Sequence, residues 1–133
     1  NVCLGTDGAS SNNNLSLFEE MKVAAITQKN AYHTPAAFSA EQVWRMATEN
    51  SWRAFRLNMG LHPGALADLA LIDLNKPWLW PKSNIISHLV YSMTGEVDTT
   101  IVNGRILMRD GVIPGEKEIL EKAQERFQRL TAS

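Results

Sequence analysis

The sequence contains little cysteine, little histidine and no excess of either charge. Cys3 is the only cysteine among 133 residues, so an internal disulfide is excluded. The three histidines lie far apart, and no Cys/His cluster has the spacing of a structural zinc site. Lys and Arg total 13 and Asp and Glu total 14, which leaves no basic field for binding phosphate backbones. The sequence therefore excludes a disulfide-rich secreted module, disfavours nucleic acid as a partner and favours a reducing compartment.

Long apolar runs are also missing. No segment approaches the roughly 20 apolar residues that cross a bilayer, and no signal-peptide pattern opens the chain. Hydrophobic residues make up 44% and charged residues 20%, which is typical of a folded globular protein. We therefore expect a soluble protein of the cytoplasm with no membrane partner. The chain begins without Met on a strand-like run, residues 1–4, which favours a segment of a longer protein.

The first half of the chain predicts one strand and two helices. Residues 2–4 form an apolar run that predicts a buried strand, and residues 6–14 are dense in turn formers. A helix is predicted over residues 15–30, where Ser16 and Glu19 have capping-box spacing. Ser39 and Gln42 give the same signal for a second helix over residues 40–57.

The second half predicts a small sheet and a terminal helix. Residues 67–74 are apolar enough for a strand buried on both faces. Residues 85–91 suit either a short helix or a strand. Asn103-Gly104 predicts a hairpin between residues 97–102 and 105–108, because both residues tolerate positive φ. An amphipathic helix is predicted over residues 116–130, with its apolar stripe formed by Ile119, Ala123, Phe127 and Leu130.

Histidine and cysteine do not define an active site. His33, His62 and His88 form no HxH or HExxH pair, and surface or packing positions are favoured for them over ligand positions. Cys3 lies in the apolar run, so a small buried hydrophobe is favoured over a nucleophile. No CxxC, P-loop or GxGxxG pattern occurs. By motif alone the chain holds no complete catalytic site.

Two other pairs of residues carry weaker signals. Asp68 and Asp73 bracket a predicted strand, but their odd spacing places them on opposite faces, so they are not expected to act as an acid/base pair. Trp78 and Trp80 are most simply core or interface aromatics. A role for the two tryptophans in lining a pocket stays open.

Asp7 is the strongest candidate for chemistry. It directly follows the predicted strand, and Gly8 after it allows close approach of backbone or substrate. The carboxyl ends of strands are where α/β folds place their active sites. Spacing alone favours a turn-capping role for Asp7 and leaves a functional role open.

Three segments, taken in order, resemble the amidohydrolase superfamily. Residues 4–22 (LGTDGASSNNNLSLFEEMK) are similar to the last barrel segment in the branch of S-adenosylhomocysteine and methylthioadenosine deaminases and triazine chlorohydrolases. Residues 60–69 (GLHPGALADL) resemble the turn into the small β-domain of that family, and residues 101–105 (IVNGR) resemble its final hairpin.

The resemblance implies an α/β fold consisting of the end of a larger enzyme. Residues 1–59 would supply the last strand and helices of a metal-dependent (β/α)8 barrel, and residues 60–133 the C-terminal part of a β-sandwich domain. A whole barrel needs about 250 residues. The HxH pair and later histidines of the family have no counterpart in this chain. Only the last metal ligand carries over, onto Asp7, which in the family also accepts a proton from the metal-bound water and touches the substrate.

The resemblance also implies a reaction, a cofactor and partners. The parent enzyme would hydrolyse a C–N bond of an adenosine-like or aminated heteroaromatic ring, or carry out a related dechlorination. Its cofactor would be a divalent metal, zinc first with iron and nickel as alternatives, and we expect the isolated chain to bind none. An alternative from another class is a non-catalytic structural or interaction module. In either case we expect self-association or association with the missing N-terminal portion.

Overall fold

The computed structural model describes residues 1–132, which form helices around one core and a small antiparallel sheet. The helical segments are α1 Leu17–Ala31, α2 Ala40–Ala47, α3 Glu49–Phe55, a 3-10 helix at Pro77–Leu79, α4 Ile85–Tyr91 and α5 Glu116–Thr131. The strands are β1 Leu69–Leu71, β2 Thr99–Val102 and β3 Arg105–Met108.

Side-chain caps start the first two helices, but the full capping box forms only at α2, because Ser16 N–H donates to Asn14 Oδ1 and not to Glu19. Ser16 accepts a hydrogen bond from the Glu19 N–H at 3.3 Å at the start of α1. At α2 both bonds of the capping box form, with Ser39 Oγ accepting from Gln42 N–H at 3.2 Å and Gln42 Oε1 accepting from Ser39 N–H at 2.8 Å. These bonds satisfy backbone donors that have no partner in the first turn of a helix.

The prediction of one continuous helix over residues 40–57 is wrong, because the helix is interrupted at Thr48. Thr48 has φ −126° and ψ −91°, outside the helical region, and its hydroxyl donates to the Trp44 carbonyl at 2.8 Å. In an unbroken helix the Met46 carbonyl would accept a hydrogen bond from Asn50 N–H. Here it accepts one from Leu4 N–H at 2.9 Å. A tertiary hydrogen bond thus replaces a helical one, and α2 and α3 are separate.

The core lies where α1, α2 and α4 meet. One cluster of buried side chains joins the three helices: Met21, Ala25, Ala40, Val43, Ala47 and Val90. A second cluster comprises Leu79, Leu89 and Met93. Phe18 and Trp44 pack against both clusters and connect them. Residues 85–91 are therefore helical, because α4 buries an apolar face in both clusters.

The sheet has the antiparallel order β1-β2-β3, and its hairpin is confirmed. Asn103 and Gly104 have φ 49° and 74°, as a type I′ turn requires. The predicted strand over residues 67–74 shrinks to Leu69–Leu71 and is not buried on both faces. Leu71 is 47% exposed, because no further layer of residues 1–132 covers this face of the sheet.

The expected buried strand over residues 2–4 is also wrong. Val2 is 62% exposed and Cys3 is exposed, and no strand of the described residues pairs with this segment. The segment is held on the α2–α3 junction instead, where Asn50 Nδ2 donates to the Val2 carbonyl at 2.8 Å. Val2 and Cys3 therefore face outward, whereas Leu4 is half-buried and packs against the core cluster of α1, α2 and α4.

The terminal amphipathic helix forms as predicted, but it packs against no other helix or strand within residues 1–132. Ile119, Ala123 and Phe127 of its apolar stripe are all exposed. Among the described helices, none has both the length and the apolar character to cross a bilayer.

Candidate functional site

Asp7 lies in the loop ahead of α1 and has a strained backbone. Its φ is 59°, in the left-handed region that residues other than glycine seldom adopt, although Asp tolerates it better than most. The residue is exposed, and its Oδ1 accepts a hydrogen bond from Gly8 N–H at 2.7 Å. Oδ2 makes no hydrogen bond with any residue from 1 to 132, so one carboxylate oxygen is available to a ligand.

The loop that carries Asp7 is closed by Asn12. The side-chain amide of Asn12 donates to the Thr6 carbonyl at 3.0 Å and to Glu20 Oε1 at 2.8 Å. Its backbone N–H donates to the Gly8 carbonyl at 3.0 Å, and Ser11 N–H donates to the same oxygen at 2.9 Å. Asn12 therefore bonds to the chain on both sides of Asp7.

Sequence patterns did not predict that Asn12 and Glu20 close the loop around Asp7. Asn12 belongs to a run of three asparagines that predicts only a turn, and Glu20 is one of two acidic residues in the first turn of α1. An acidic first turn is ordinary at a helix N-terminus. The two residues are eight positions apart, and no sequence pattern indicates that they come into contact when the loop folds.

The donor chemistry at Asp7 fits one ligand of a divalent metal. A carboxylate oxygen is a common ligand for zinc and other divalent ions. Within residues 1–132 no group of three His, Cys, Asp or Glu side chains is placed to hold a metal ion. The chain thus offers one oxygen ligand, and the remaining ligands would have to come from outside these residues.

The other titratable and nucleophilic candidates lie apart from Asp7. His33 and His62 are exposed, and His62 Nδ1 is 3.2 Å from the Pro63 carbonyl. His88 is half-buried in α4, with Nε2 2.8 Å from the Pro81 carbonyl. Cys3 is exposed, which corrects the expectation that it is a buried hydrophobe. None of these contacts joins two candidate ligands.

The two aspartates that bracket β1 have structural partners. Asp68 Oδ1 accepts from Asn103 N–H at 2.6 Å, and Asp73 Oδ1 accepts from Asn75 N–H at 2.9 Å. Each carboxylate therefore caps a turn.

The two tryptophans beyond β1 are exposed among the described residues. The Lys82 ammonium lies over the Trp80 ring, 4.7 Å from the ring centroid. Trp78 lies in the 3-10 helix. Such a stacked cation is worth about 0.5–1 kcal/mol at an exposed site.

Comparisons with known proteins agree on one family. The sequence profile described as "Amidohydrolase family" matches residues 1–107. A 5'-deoxyadenosine deaminase of Methanothrix thermoacetophila is 63% identical over 130 residues, which cover 98% of this chain and 32% of the relative. A 5-methylthioadenosine/S-adenosylhomocysteine deaminase of Thermococcus sibiricus is 54% identical over 110 residues, covering 81% of this chain and 26% of the relative.

Solved structures agree on the fold. An adenosine deaminase from Xanthomonas campestris with bound zinc superposes with a TM-score of 0.89 at 26% identity, over 98% of this chain and 31% of that one. An atrazine chlorohydrolase from Arthrobacter aurescens in complex with zinc gives 0.80 at 22% identity, over 89% of this chain and 28% of that one. In both sets the chain spans less than a third of the protein it matches.

Proposed function

The chain belongs to the amidohydrolase family, and from that premise we propose that it is the C-terminal part of a metal-dependent hydrolase that deaminates an adenosine-like ring. Support for the substrate class comes from relatives named as 5'-deoxyadenosine and methylthioadenosine/S-adenosylhomocysteine deaminases. Other aminated heteroaromatic rings, and dechlorination as a related substitution, are alternatives within the same chemistry. The single observation that carries the proposal is the exposed Asp7 carboxylate with one free oxygen in the matched segment.

We propose that residues 1–59 complete the barrel domain and that residues 60–133 belong to the β-sandwich domain. The three-stranded antiparallel sheet lies in the second segment, which supports the division. Core contacts cross the boundary, because Val90 of α4 packs with Val43 of α2. The two parts would then share one core at their junction.

Asp7 would act as metal ligand, catalytic base and substrate contact. Asp7 would be one ligand of a divalent metal, zinc first with iron and nickel as alternatives, which would lower the pKa of a water molecule toward neutrality. The Asp7 carboxylate would accept the proton of that water and donate it to the leaving nitrogen. The hydrogen bond from Gly8 N–H to Oδ1 would hold the carboxylate in one orientation for these transfers.

The test uses the longer protein that contains this segment, loaded with zinc and assayed for ammonia release from 5'-deoxyadenosine and methylthioadenosine. We expect Asp7→Ala to abolish turnover and to lower the bound zinc per chain. Glu125→Gln is the matched control, since it alters an exposed carboxylate on α5. Full turnover by Asp7→Ala would contradict the proposal.

A second candidate, in which these residues act alone as a non-catalytic structural module, is favoured by the missing ligands within residues 1–132. The two proposals agree if the module is one part of the enzyme. Coding DNA upstream of Asn1 that continues in frame into an HxH pair and two later histidines would support the enzyme. Tight stoichiometric zinc and turnover in the isolated chain would contradict the structural module.

A further inference from the structure

We propose that Asn12 and Glu20 are positioning residues for Asp7, holding its strained backbone so that its carboxylate would face the metal and the reacting water. The inference rests on the proposed function of Asp7 and adds to it a support that lies outside the ligand set. It follows from the two hydrogen bonds of the Asn12 amide, at 3.0 Å to the Thr6 carbonyl and at 2.8 Å to Glu20 Oε1.

The strain at Asp7 requires an external restraint. A residue other than glycine in a sparsely populated backbone region costs on the order of 1–3 kcal/mol and persists only where its surroundings fix it. The Thr6 carbonyl belongs to the peptide unit that ends at Asp7 N, so a bond to this oxygen restricts rotation about the Asp7 φ bond. The bonds from Ser11 and Asn12 N–H to the Gly8 carbonyl close the loop one residue beyond Asp7.

Glu20 connects this restraint to the core. Its neighbour Met21 is 2% exposed in the first cluster, which fixes the first turns of α1. Glu20 itself is half-buried and receives one of the two Asn12 amide hydrogens. The chain of contacts therefore runs from the core through Glu20 and Asn12 to the peptide that precedes Asp7.

The chemistry of the pair fixes the orientation of the Asn12 amide. Both of its close partners, the Thr6 carbonyl and the Glu20 carboxylate, are acceptors, so the NH₂ group must face them. A flipped amide would place its oxygen against two oxygens and lose both bonds. This explains why an asparagine, with two donors on one nitrogen, serves at this position.

A merely structural clamp and a positioning clamp differ in what their removal changes. If the contacts of Asn12 and Glu20 are merely structural, their removal lowers the folded fraction and leaves each folded molecule fully active. If these contacts position Asp7, their removal leaves the protein folded but lowers metal affinity and kcat. Mutation of the outer partners of metal ligands typically costs roughly 10–100-fold in either quantity. The test therefore measures metal binding and turnover per folded chain.

The experiment compares variants of the longer protein by zinc affinity, kcat and KM, after circular dichroism has measured the folded fraction. We expect Asn12→Ala and Asn12→Asp to weaken zinc binding and lower kcat by roughly 10–100-fold, with little change in KM. Asn12→Asp cannot donate to Thr6 and repels Glu20. Asn13→Ala is the matched control, since the exposed side chain of Asn13 makes no hydrogen bond within the described chain.

Variants of Glu20 keep the test possible if the Asn12 variants fail to fold. Glu20→Gln keeps an acceptor oxygen and should retain near wild-type values, whereas Glu20→Ala should fall toward the Asn12→Ala values. Because Glu20 acts through Asn12, the double variant Asn12→Ala/Glu20→Ala should be no worse than Asn12→Ala alone.

The results separate this inference from the proposed function. An inactive Asp7→Ala together with fully active, zinc-replete Asn12→Ala or Glu20→Ala would overturn the positioning role alone. Losses that only track the folded fraction would overturn it as well. A fully active Asp7→Ala would overturn the proposed function, and the positioning role with it.

Discussion

Asp68 Oδ1 accepts a hydrogen bond from the Asn103 N–H at 2.6 Å, across 35 positions of the sequence. The same hairpin tip is held a second time, because Gly104 N–H donates to the Ala67 carbonyl at 3.0 Å. The segment that enters β1 is thereby fixed to the turn between β2 and β3. This cross-link holds together a sheet whose strands have only three or four residues each.

Removing the Asp68 carboxylate should loosen the hairpin. We expect Asp68→Ala to cost about 1 kcal/mol, the typical net value of one such hydrogen bond, and to speed hydrogen exchange of the hairpin amides about fivefold. Asp68→Asn keeps an acceptor oxygen and should exchange at nearly the original rate. Equal exchange rates in Asp68→Ala and the unaltered protein would contradict this role.

Local signals predicted the elements whose structure depends on neighbours in the sequence. The Ser39 capping box and the Asn103-Gly104 turn each depend on four or fewer residues, and both form as predicted. The break at Thr48 depends on Leu4, 44 positions away, which takes the Met46 carbonyl. Helix propensity and periodicity contain no information about that contact.

The core offers a direct test of the packing. Met21→Ala should destabilise the chain by about 2–5 kcal/mol, because it removes a buried side chain that α2 and α4 surround. Val23→Ala is the matched control on the same helix, where Val23 is 52% exposed and should change stability by less than about 0.5 kcal/mol. Urea unfolding followed by tryptophan fluorescence measures both, since Trp44 packs against this core. Equal effects of the two substitutions would contradict the assignment of the core.

The candidate site was predictable only in part. A carboxylate after an apolar run and before a turn makes Asp7 a candidate, and the resemblance of residues 4–22 is the source of the role that we propose for it. The left-handed backbone of Asp7 and the Asn12 bond to Thr6 arise only when the loop closes. Cys3 shows the opposite error, because an apolar run predicts burial only where other residues are available to cover it.

The terminal helix predicts association of the isolated chain. Ile119, Ala123 and Phe127 form an apolar stripe that no other helix or strand within residues 1–132 covers, and Phe127 is 60% exposed. We therefore expect the isolated chain to self-associate in sedimentation velocity as its concentration rises, and Phe127→Glu to weaken this association. Gln128→Glu adds the same charge away from the stripe and should leave the association unchanged. A monomer at all concentrations, or equal effects of the two substitutions, would contradict a role for this stripe.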